Sequence, residues 1–340
     1  MIARILAVFY ARNLEFVRDR GTLSWNIMFP VVVLFGLNFV FSEGEQNQFK
    51  IGVLTDNPVV NEIDHPFMDI RYINKIQIVD QDAGLESVRR HKLDMLIDLD
   101  EPVARYWINE ESPSGYIVEK ILLQSSGEGF IKGVVQGKNI RYVEWLLPGV
   151  LGMNLMFGCL FGVGYVIVRY RKNGFLKRLK ATPLHAIEFI VAQVLSRLIL
   201  AISMAIFIYV GASYILETRM EGSYFLLLLI GILGAISLIS MGLLIASRVS
   251  SEELAGGLLN LMTWPMMTLS GVFFSLEGSP QWIQNFANVF PLTHTLTAAR
   301  AVMIDGATIL DISYELSVLV ATSIIFMIAG ALLFLSLIHI

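Results

Sequence analysis

Six long apolar stretches constrain this chain more than any other feature of its sequence. A helix needs about 20 apolar residues to cross the roughly 30 Å hydrocarbon core of a bilayer. Hydrophobic residues make up 55% of the 340 residues and charged residues only 16%, a balance that is not typical of water-soluble proteins. We therefore predict six membrane-spanning helices, at residues 25–41, 145–168, 186–216, 224–246, 254–274 and 316–338.

The first apolar stretch is predicted to remain part of the mature chain. A signal peptide ends in an A-x-A-like cleavage site, and no such site follows Phe41. Before this stretch, apolar residues recur at helical spacing with arginines between them. This pattern predicts an amphipathic helix over residues 1–23, lying on the cytoplasmic leaflet, and a first transmembrane helix over 24–41. The alternative for residues 1–23 is an ordinary solvated segment.

Lysine and arginine are concentrated in alternate short loops, which predicts an orientation. They precede the first span and follow the second and the fourth, whereas the other short loops hold only Arg219 and Arg300. Basic residues in short loops favour the cytoplasmic side. Both termini are therefore expected in the cytoplasm, and the long segment 42–144 is expected outside.

Segment 42–144 is predicted to form a small extracytoplasmic α+β domain. Alternating apolar residues favour strands, and one stretch between them favours a helix. Residues 116–123 fit either a strand or a helix. The predicted strands are 50–54, 75–79, 95–99 and 106–108, and the predicted helix is 83–91. Residues 145–340 form the remaining five-helix transmembrane region.

The sequence shows no residue pattern for catalysis, for a metal site or for nucleic-acid binding. Cys159 is the only cysteine, so no internal disulfide can form. The Gly137–Lys138 pair is followed by Asn139 and lacks the spacing of a phosphate-binding loop, so we expect no ATP hydrolysis by this chain. One acidic cluster is better explained as a solvated strand end than as a metal site. Its members are Asp94, Asp98, Asp100 and Glu101.

The loop at 169–184, RYRKNGFLKRLKATPL, is strongly basic and follows the second span. Gly174 permits a turn and Pro183 ends the segment, with apolar residues at helical spacing between them. A basic segment beside a membrane can bind anionic lipid. Docking on a partner protein is the alternative.

This loop resembles the segment after the second span of type-2 ABC transporter permeases. In that family a glycine, a basic and apolar stretch and a Thr-Pro pair form the coupling helix, which docks on the ATPase. Residues 18–36, 146–157 and 250–300 resemble other parts of the same family. Two departures are visible, because Arg171 and Lys172 replace a common acidic residue and Ser275 replaces a common proline. The matching coupling positions are Gly174, Lys177, Arg178, Leu179, Thr182 and Pro183.

The resemblance implies a membrane all-α fold with six transmembrane helices, acting as the permease subunit of an ABC exporter in a bacterial inner membrane. ATP and Mg²⁺ would bind to a separate ATPase, in two copies per permease homodimer or heterodimer, and this chain would hold no cofactor. Membrane lipid would surround the helices. The substrate would be hydrophobic or amphipathic, such as a drug, lipid, glycan or peptide. A non-transporting scaffold or sensor with an extracytoplasmic domain is the alternative.

The fifth span and the segment after it contain helix signals. Ser250 and Glu253 have the spacing of a capping box, and Pro265 is expected to kink or break the helix. Ser279 is expected to cap a helix that begins at Pro280. That helix is too short to cross a bilayer, so we predict a re-entrant or surface hairpin between the fifth and sixth helices. We expect an outer gate there, or a static interfacial anchor, formed by Trp282, Phe286, Phe290 and Pro291.

Two charged residues, Glu188 and Arg197, lie in the first half of the third span. Ionisable residues inside a membrane often serve transport. Near a helix end they can also be paired or reach the interface at low cost, which would be a structural role.

Overall fold

The computed structural model describes residues 1–42, 49–55, 66–67, 70, 73–89, 93–99, 104–110, 112–126, 129–135, 142–175, 178, 181–249, 251–273 and 280–338. The chain divides into two compact units. Unit 1 consists of Met1–Asn38 and Val143–Ile340, and unit 2 is Phe39–Tyr142.

Helices dominate the described part of the chain. In chain order they are α1 (Ile2–Arg18), α2 (Arg20–Ser42), α3 (Gln81–Arg89), α4 (Pro113–Ser126), α5 (Tyr142–Lys172), α6 (Ala186–Leu216), α7 (Tyr224–Arg248), α8 (Glu252–Leu269), α9 (Gln281–Ala287), α10 (Pro291–Asp305) and α11 (Ser313–Ile338).

Four of the described helices, α5, α6, α7 and α11, are long and apolar enough to cross a membrane. A fifth candidate arises if α1 and the Leu23–Leu37 part of α2, which meet at a bend of 62°, count as one span. Helices lie at all six predicted positions, and α6 has the predicted bounds. A mostly helical membrane protein is thus confirmed, whereas the count of six spans stays a prediction.

In unit 1, α5 and α7 are mostly buried. Helix α7 packs against α6, α8, α10 and α11. Glycines let α5 and α7 approach closely, because a methyl group added at Gly242 would lie 2.9 Å from the carbonyl oxygen of Leu160. By contrast, α6 and α11 leave most of their apolar surface exposed, as expected for helices that face lipid.

Unit 2 contains a five-stranded mixed sheet with the strand order β2-β1-β3-β4-β5. Strand β1 pairs in parallel with β2 and β3, whereas β4 is antiparallel to β3 and parallel to β5. The strands are β1 (Phe49–Leu54), β2 (Ile73–Ile78), β3 (Met95–Asp98), β4 (Arg105–Asn109) and β5 (Ile131–Val135).

The sheet of unit 2 buries side chains on both faces, because successive residues of a strand point to opposite sides. Ile97 lies in the cluster that includes Leu122 of α4, and Leu96 lies in the cluster that includes Val88 of α3. The predicted strands at 50–54, 75–79, 95–99 and 106–108 and the predicted helix at 83–91 are confirmed to within two residues. The stretch 116–123 is helical, and β5 was not predicted.

The acidic cluster of unit 2 is only partly described. Asp94 accepts a hydrogen bond from the backbone N–H of Lys50 at 2.7 Å, so its carboxylate helps to join β1 to the start of β3. Asp100 and Glu101 lie outside the described residues. Within the described ranges, no group of three acidic, histidine or cysteine side chains is placed to hold a metal ion.

Three details of the predicted helix ends are corrected. The N-cap of α8 is Ser251, whose hydroxyl accepts from the backbone N–H of Leu254 at 3.1 Å. The N-cap is therefore one residue later than predicted. The residue at N3 is then Leu254, which cannot complete a capping box, and Ser250 lies outside the described residues. Helix α8 continues through Pro265, so of the two expected effects a break does not occur, and a kink stays a prediction. Pro280 is the N-cap of α9 rather than its first residue, and Ser279 is not described.

Candidate coupling site

The basic loop between α5 and α6 lies at one end of unit 1, which we call the loop end. The start of α1 and the junction between α7 and α8 lie at the same end, because Arg4 of α1 donates to Pro183 of the loop and Arg171 of α5 donates to the carbonyl oxygen of Val249 in the junction. The opposite end of α5 meets the segment after α8, and we call it the hairpin end.

The loop turns at Gly174, and the described residues Phe175 and Arg178 after it have helical geometry. Gly174 has a φ of +67°, in the left-handed region that favours glycine. The backbone N–H of Arg178 donates to the Gly174 carbonyl oxygen at 3.2 Å, and the Arg178 side chain is exposed. Of the six predicted coupling residues, four are described and two, Lys177 and Leu179, lie outside the described residues.

Arg4 of α1 joins the end of this loop to the first turn of α6. One guanidinium nitrogen lies 2.9 Å from the Glu188 carboxylate, and another donates to the carbonyl oxygen of Pro183. Glu188 also accepts a hydrogen bond from the backbone N–H of His185 at 2.9 Å, as a residue in the first turn of a helix often does. Glu188 is only 3% exposed, so Arg4 supplies the compensating charge that such a carboxylate needs.

The structure therefore brings together two of the predicted site residues, Pro183 and Glu188. Sequence reasoning missed the third member, Arg4. The available signal was its position among the arginines of the amphipathic α1 helix, but the pattern could not show which carboxylate it would meet.

Tyr170, near the end of α5, connects α1 with the loop. Its hydroxyl donates to Glu15 at 2.6 Å and accepts a hydrogen bond from Arg12. Arg12 and Glu15 also form an ion pair at 2.6 Å. The Tyr170 ring lies 4.6 Å from the Phe175 ring and 6.4 Å from that of Phe189. One side chain thus contacts α1, the loop and α6.

Arg171 and Lys172 contact the junction between α7 and α8. Arg171 donates to the carbonyl oxygens of Val249 and Ser247. Lys172 lies 3.5 Å from the carboxylate of Glu253 and 3.7 Å from that of Glu252. These are the two basic residues that replace an acidic residue of the family pattern. Their charge has a structural reason, since they face carbonyl oxygens and two carboxylates.

The polar contacts of the loop end join the loop and the end of α5 to neighbouring elements of unit 1. Those elements are α1, α6 and the α7–α8 junction. A force on the loop would therefore reach α1, α6 and the α7–α8 junction through ion pairs and hydrogen bonds. Such a layer can convert the movement of a docked partner into a movement of helices.

Arg197 does not belong to this layer. It lies nine residues after Glu188, about 13 Å along α6, and it donates to the carbonyl oxygen of Gly158. Its guanidinium carbon lies 5.5 Å from the centre of the Phe16 ring. The two intramembrane charges of the sequence prediction thus occupy separate sites.

At the hairpin end, the predicted gate residues do not share one face. Trp282 and Phe286 of α9 are 71% and 50% exposed. Phe290 is 6% exposed and Pro291 is also buried. Phe290 therefore does not share the exposed face of Trp282 and Phe286, because α9 ends at Ala287 and Phe290 already caps α10. The Phe286 and Phe290 rings still meet edge to face, with centres 5.4 Å apart.

Arg300 of α10 fastens the hairpin end. Its guanidinium donates to the carbonyl oxygens of Trp145 at 3.3 Å and Gly271 at 2.6 Å. It also lies over the Trp145 ring, 3.9 Å from the ring centre. Sequence reasoning assigned Arg300 no role, because backbone carbonyl partners leave no signal in a sequence.

Residues 102–304 match the family described as ABC-2 type transporter. The chain is 25% identical over 177 residues to the probable multidrug ABC transporter permease YbhR of Escherichia coli (strain K12), covering 52% of this chain and 48% of that protein. The inner membrane transport permease YhhJ of the same organism is 26% identical over 145 residues, covering 42% and 39%. ABC transporter G family member 20 of Dictyostelium discoideum is 26% identical over 171 residues, covering 49% and 23%.

The aligned region therefore amounts to less than half of the length of each of these relatives. The family model covers a larger share of this chain, because residues 102–304 are more than half of its 340 residues. It includes the basic loop, α5 to α9 and most of α10. Together with the apolar helices of unit 1, this match establishes that the chain is a multi-pass membrane protein of the ABC-2 type transporter family, a permease of the type-2 class.

Proposed function

We propose that this chain is the membrane-spanning subunit of an ABC exporter in a bacterial inner membrane. A separate ATPase, which binds ATP and Mg²⁺, would supply the energy. The observation that supports this function best is the loop end, where a basic loop of the family is joined by charged side chains to α1, α6 and the α7–α8 junction.

In this mechanism the ATPase docks on the segment around Gly174, Lys177, Arg178, Leu179, Thr182 and Pro183. Movement of the docked ATPase displaces the loop. Arg4 and Tyr170 transmit the displacement to α1 and α6, while Arg171 and Lys172 transmit it to the start of α8. The helices then expose the substrate to the outer side.

The complete exporter would contain two permease chains, identical or different, and two ATPases. Each permease would have six spans, both termini in the cytoplasm and unit 2 outside. A hairpin containing α9 would close the exit through Trp282 and Phe286. A hydrophobic or amphipathic substrate is proposed because the helices present apolar surface with few charges, and because one relative is named as a probable multidrug permease.

Co-purification tests the partnership. The intact chain, extracted from its native membrane in neutral detergent, should bring with it a soluble subunit that hydrolyses ATP. Leu179→Asp should abolish that association and export, because it would place an unpaired charge in the docking surface. Arg219→Asp, in the loop between α6 and α7, is the matched control and should retain both. A chain that inserts normally but binds no ATPase would favour the alternative of a scaffold or sensor.

Cysteine labelling tests the orientation. In a Cys159→Ala background, Gln81→Cys places a thiol at an exposed position of unit 2, and Asn173→Cys places one at an exposed position of the loop. An impermeant thiol reagent added to intact cells should label the first variant only. Labelling of the second variant alone would reverse the proposed topology.

Cross-linking tests the gate. In the same background, Phe286→Cys should form a disulfide between two permease chains under oxidising conditions, and export should stop until the disulfide is reduced. Full export by the cross-linked dimer would reduce α9 to a static anchor.

A further inference from the structure

Unit 1 contains a cavity of about 500 Å³ that the coupling mechanism does not use. Helices α1, α2, α5 and α6 form its walls. One part of the wall is aromatic and another part is charged, which is unusual for a cavity among apolar helices. The aromatic residues are Phe16, Trp25, Phe29, Phe157, Phe161 and Tyr165, and the charged ones are Arg12, Glu15, Asp19, Arg169 and Arg197.

Arg197 reaches this cavity through a groove on α5. Gly158 and Gly162 form a G-x-x-x-G pair on that helix, a motif that usually lets two backbones approach. Here it accommodates a side chain, since a methyl group added at Gly162 would overlap the Arg197 guanidinium. The helix surface is therefore shaped around this arginine.

The charge of the cavity wall is positive overall. Three arginines face two carboxylates, and Arg12 is already paired with Glu15 at 2.6 Å. Within the described ranges, Arg197 forms no ion pair with a carboxylate. Its contacts there are the Gly158 carbonyl oxygen and the face of Phe16. A guanidinium has five N–H donors, so Arg197 retains donors that could bind an anion.

The depth of Arg197 indicates the kind of anion. Arg197 lies about 16 Å along α6 from Ala186, so its ligand must enter an apolar environment. The aromatic wall offers contact area to an apolar body, and 500 Å³ falls within the range of about 300–1,000 Å³ typical of sites for a drug-sized molecule. A fully hydrated inorganic ion would leave most of this wall without contacts.

We propose that this cavity binds a single-chain anionic amphiphile, with its carboxylate or phosphate on Arg197 and its apolar body against Trp25, Phe29 and Phe161. Binding alone is the property proposed. It can therefore be tested on the isolated chain, separately from export and from ATPase docking.

Native mass spectrometry of the full chain, released from neutral detergent, measures this binding directly. Oleate and dodecyl phosphate should each bind, whereas dodecyltrimethylammonium of similar length should not. Arg197→Gln should weaken oleate binding by about tenfold or more, as expected for the loss of a charge-assisted contact. Arg197→Lys should retain most of the binding, and Arg248→Gln, which changes an exposed cation at the end of α7, should leave it unchanged.

A second variant distinguishes the loss of the ligand contact from a folding defect caused by the change at Arg197. Val166→Phe adds volume on the cavity wall while leaving the guanidinium in place, and it should also abolish oleate binding. Cys159 is buried beside this region, so its resistance to thiol reagents reports intact packing.

Equal binding of the cationic amphiphile, or unchanged oleate binding in Arg197→Gln, would overturn the proposal. Binding of phosphatidylglycerol but not of oleate would show that the ligand is a diacyl lipid and not a single-chain amphiphile. Competition by inorganic phosphate at equal concentration would show that the site binds a free anion.

Discussion

The two ends of helix α5 are held in unit 1 by different kinds of contact. At the loop end, cations meet carboxylates, as in the pairs of Arg4 with Glu188 and Lys172 with Glu253. At the hairpin end, Arg300 donates to the backbone carbonyl oxygens of Trp145 and Gly271. Both ends use basic side chains, and among these contacts of the described residues those of the loop end also use carboxylates, whereas those of Arg300 use backbone carbonyl oxygens.

This difference suggests how each end can respond to its surroundings. The attraction between exposed charges weakens with salt and changes when a charged partner docks. A backbone carbonyl has no titratable proton, and its contact with Arg300 is shielded by Trp145 and by the segment after α8. The loop end is therefore suited to rearrangement, and the hairpin end to a fixed connection.

The largest effect is expected at the hairpin end. Arg300→Ala removes the donor from several carbonyl oxygens and the cation from the Trp145 ring, so the free energy of unfolding should fall by about 2–3 kcal/mol. The fall should be similar at low and high salt. Unfolding of the purified chain in mixed micelles of neutral and denaturing detergent measures it.

Two variants control this experiment. Arg300→Lys keeps the charge but not the planar set of donors. Its free energy of unfolding should lie between those of the unmodified protein and Arg300→Ala. Arg219→Ala removes an exposed arginine from the loop between α6 and α7 and should change little. An Arg300→Ala effect that disappears at high salt would remove the contrast between the two ends.

Much of the fold could be predicted from hydrophobic pattern alone. The bounds of α6 were predicted correctly because a continuous apolar run ends at polar residues on both sides. The strands β1 and β3 were predicted because each contains a short apolar run, which is typical of strands that are buried on both faces. Strand β5 was missed because most of its residues are exposed, so the sequence of that edge lacks the pattern that burial imposes.

The candidate site was less predictable. The positions of Pro183 and Glu188 followed from the family resemblance and from charge in an apolar run. Their connection through Arg4 depends on how α1 packs against α6, which no local pattern encodes. The cap of α8 differs from the predicted one by one residue. Ser250 has the S-x-x-E spacing with Glu253, but the backbone geometry selects Ser251, and the residue three positions after Ser251 is Leu254.

A charged cluster in unit 2 shows how pH should act on contacts of the loop-end kind. Glu119 is 7% exposed and lies 2.8 Å from Lys132 and 2.9 Å from the Tyr106 hydroxyl. Burial alone would raise the pKa of Glu119, but the contacts with Lys132 and Tyr106 outweigh it and hold the pKa below its usual range. Burial and the bond to Glu119 raise the pKa of Tyr106 to about 12.

Because the pKa of Glu119 is lowered on folding, its ionised form stabilises unit 2 above the ordinary glutamate pKa of about 4.3. That contribution should be lost as the pH falls through the lowered folded-state value. Glu119→Gln should cost about 1 kcal/mol at neutral pH and progressively less in acid. Hydrogen exchange of the β4, α4 and β5 peptides, corrected for intrinsic rates, measures the local stability of unit 2 in the full chain. It is measured for the unmodified protein and for Glu119→Gln. A constant difference across this pH range would contradict the assignment.

The smallest effect on stability is expected for Glu188→Gln at the loop end, although its effect on export should be large. Arg4 is 38% exposed and Glu188 only 3%, so Glu188→Gln, which leaves no buried carboxylate unpaired, should lower the Tm by only about 1–2 °C. Arg4→Met leaves that carboxylate without the partner and should lower the Tm by more. The double variant should lose less than the sum of the two, and this coupling should shrink at high salt. Arg4→Met removes the contact of α1 with Pro183 of the basic loop, and both variants remove the ion pair between α1 and α6. In reconstituted vesicles with the ATPase, the number of substrate molecules exported per ATP should therefore fall while hydrolysis continues. A Lys172→Ala variant, which loosens a different contact of the same end, shows whether any loss of charge has this result. If Arg4→Met exports at the ratio of the unmodified protein, the contact only secures α1, and force from the loop must reach the helices through Tyr170 or Arg171 instead.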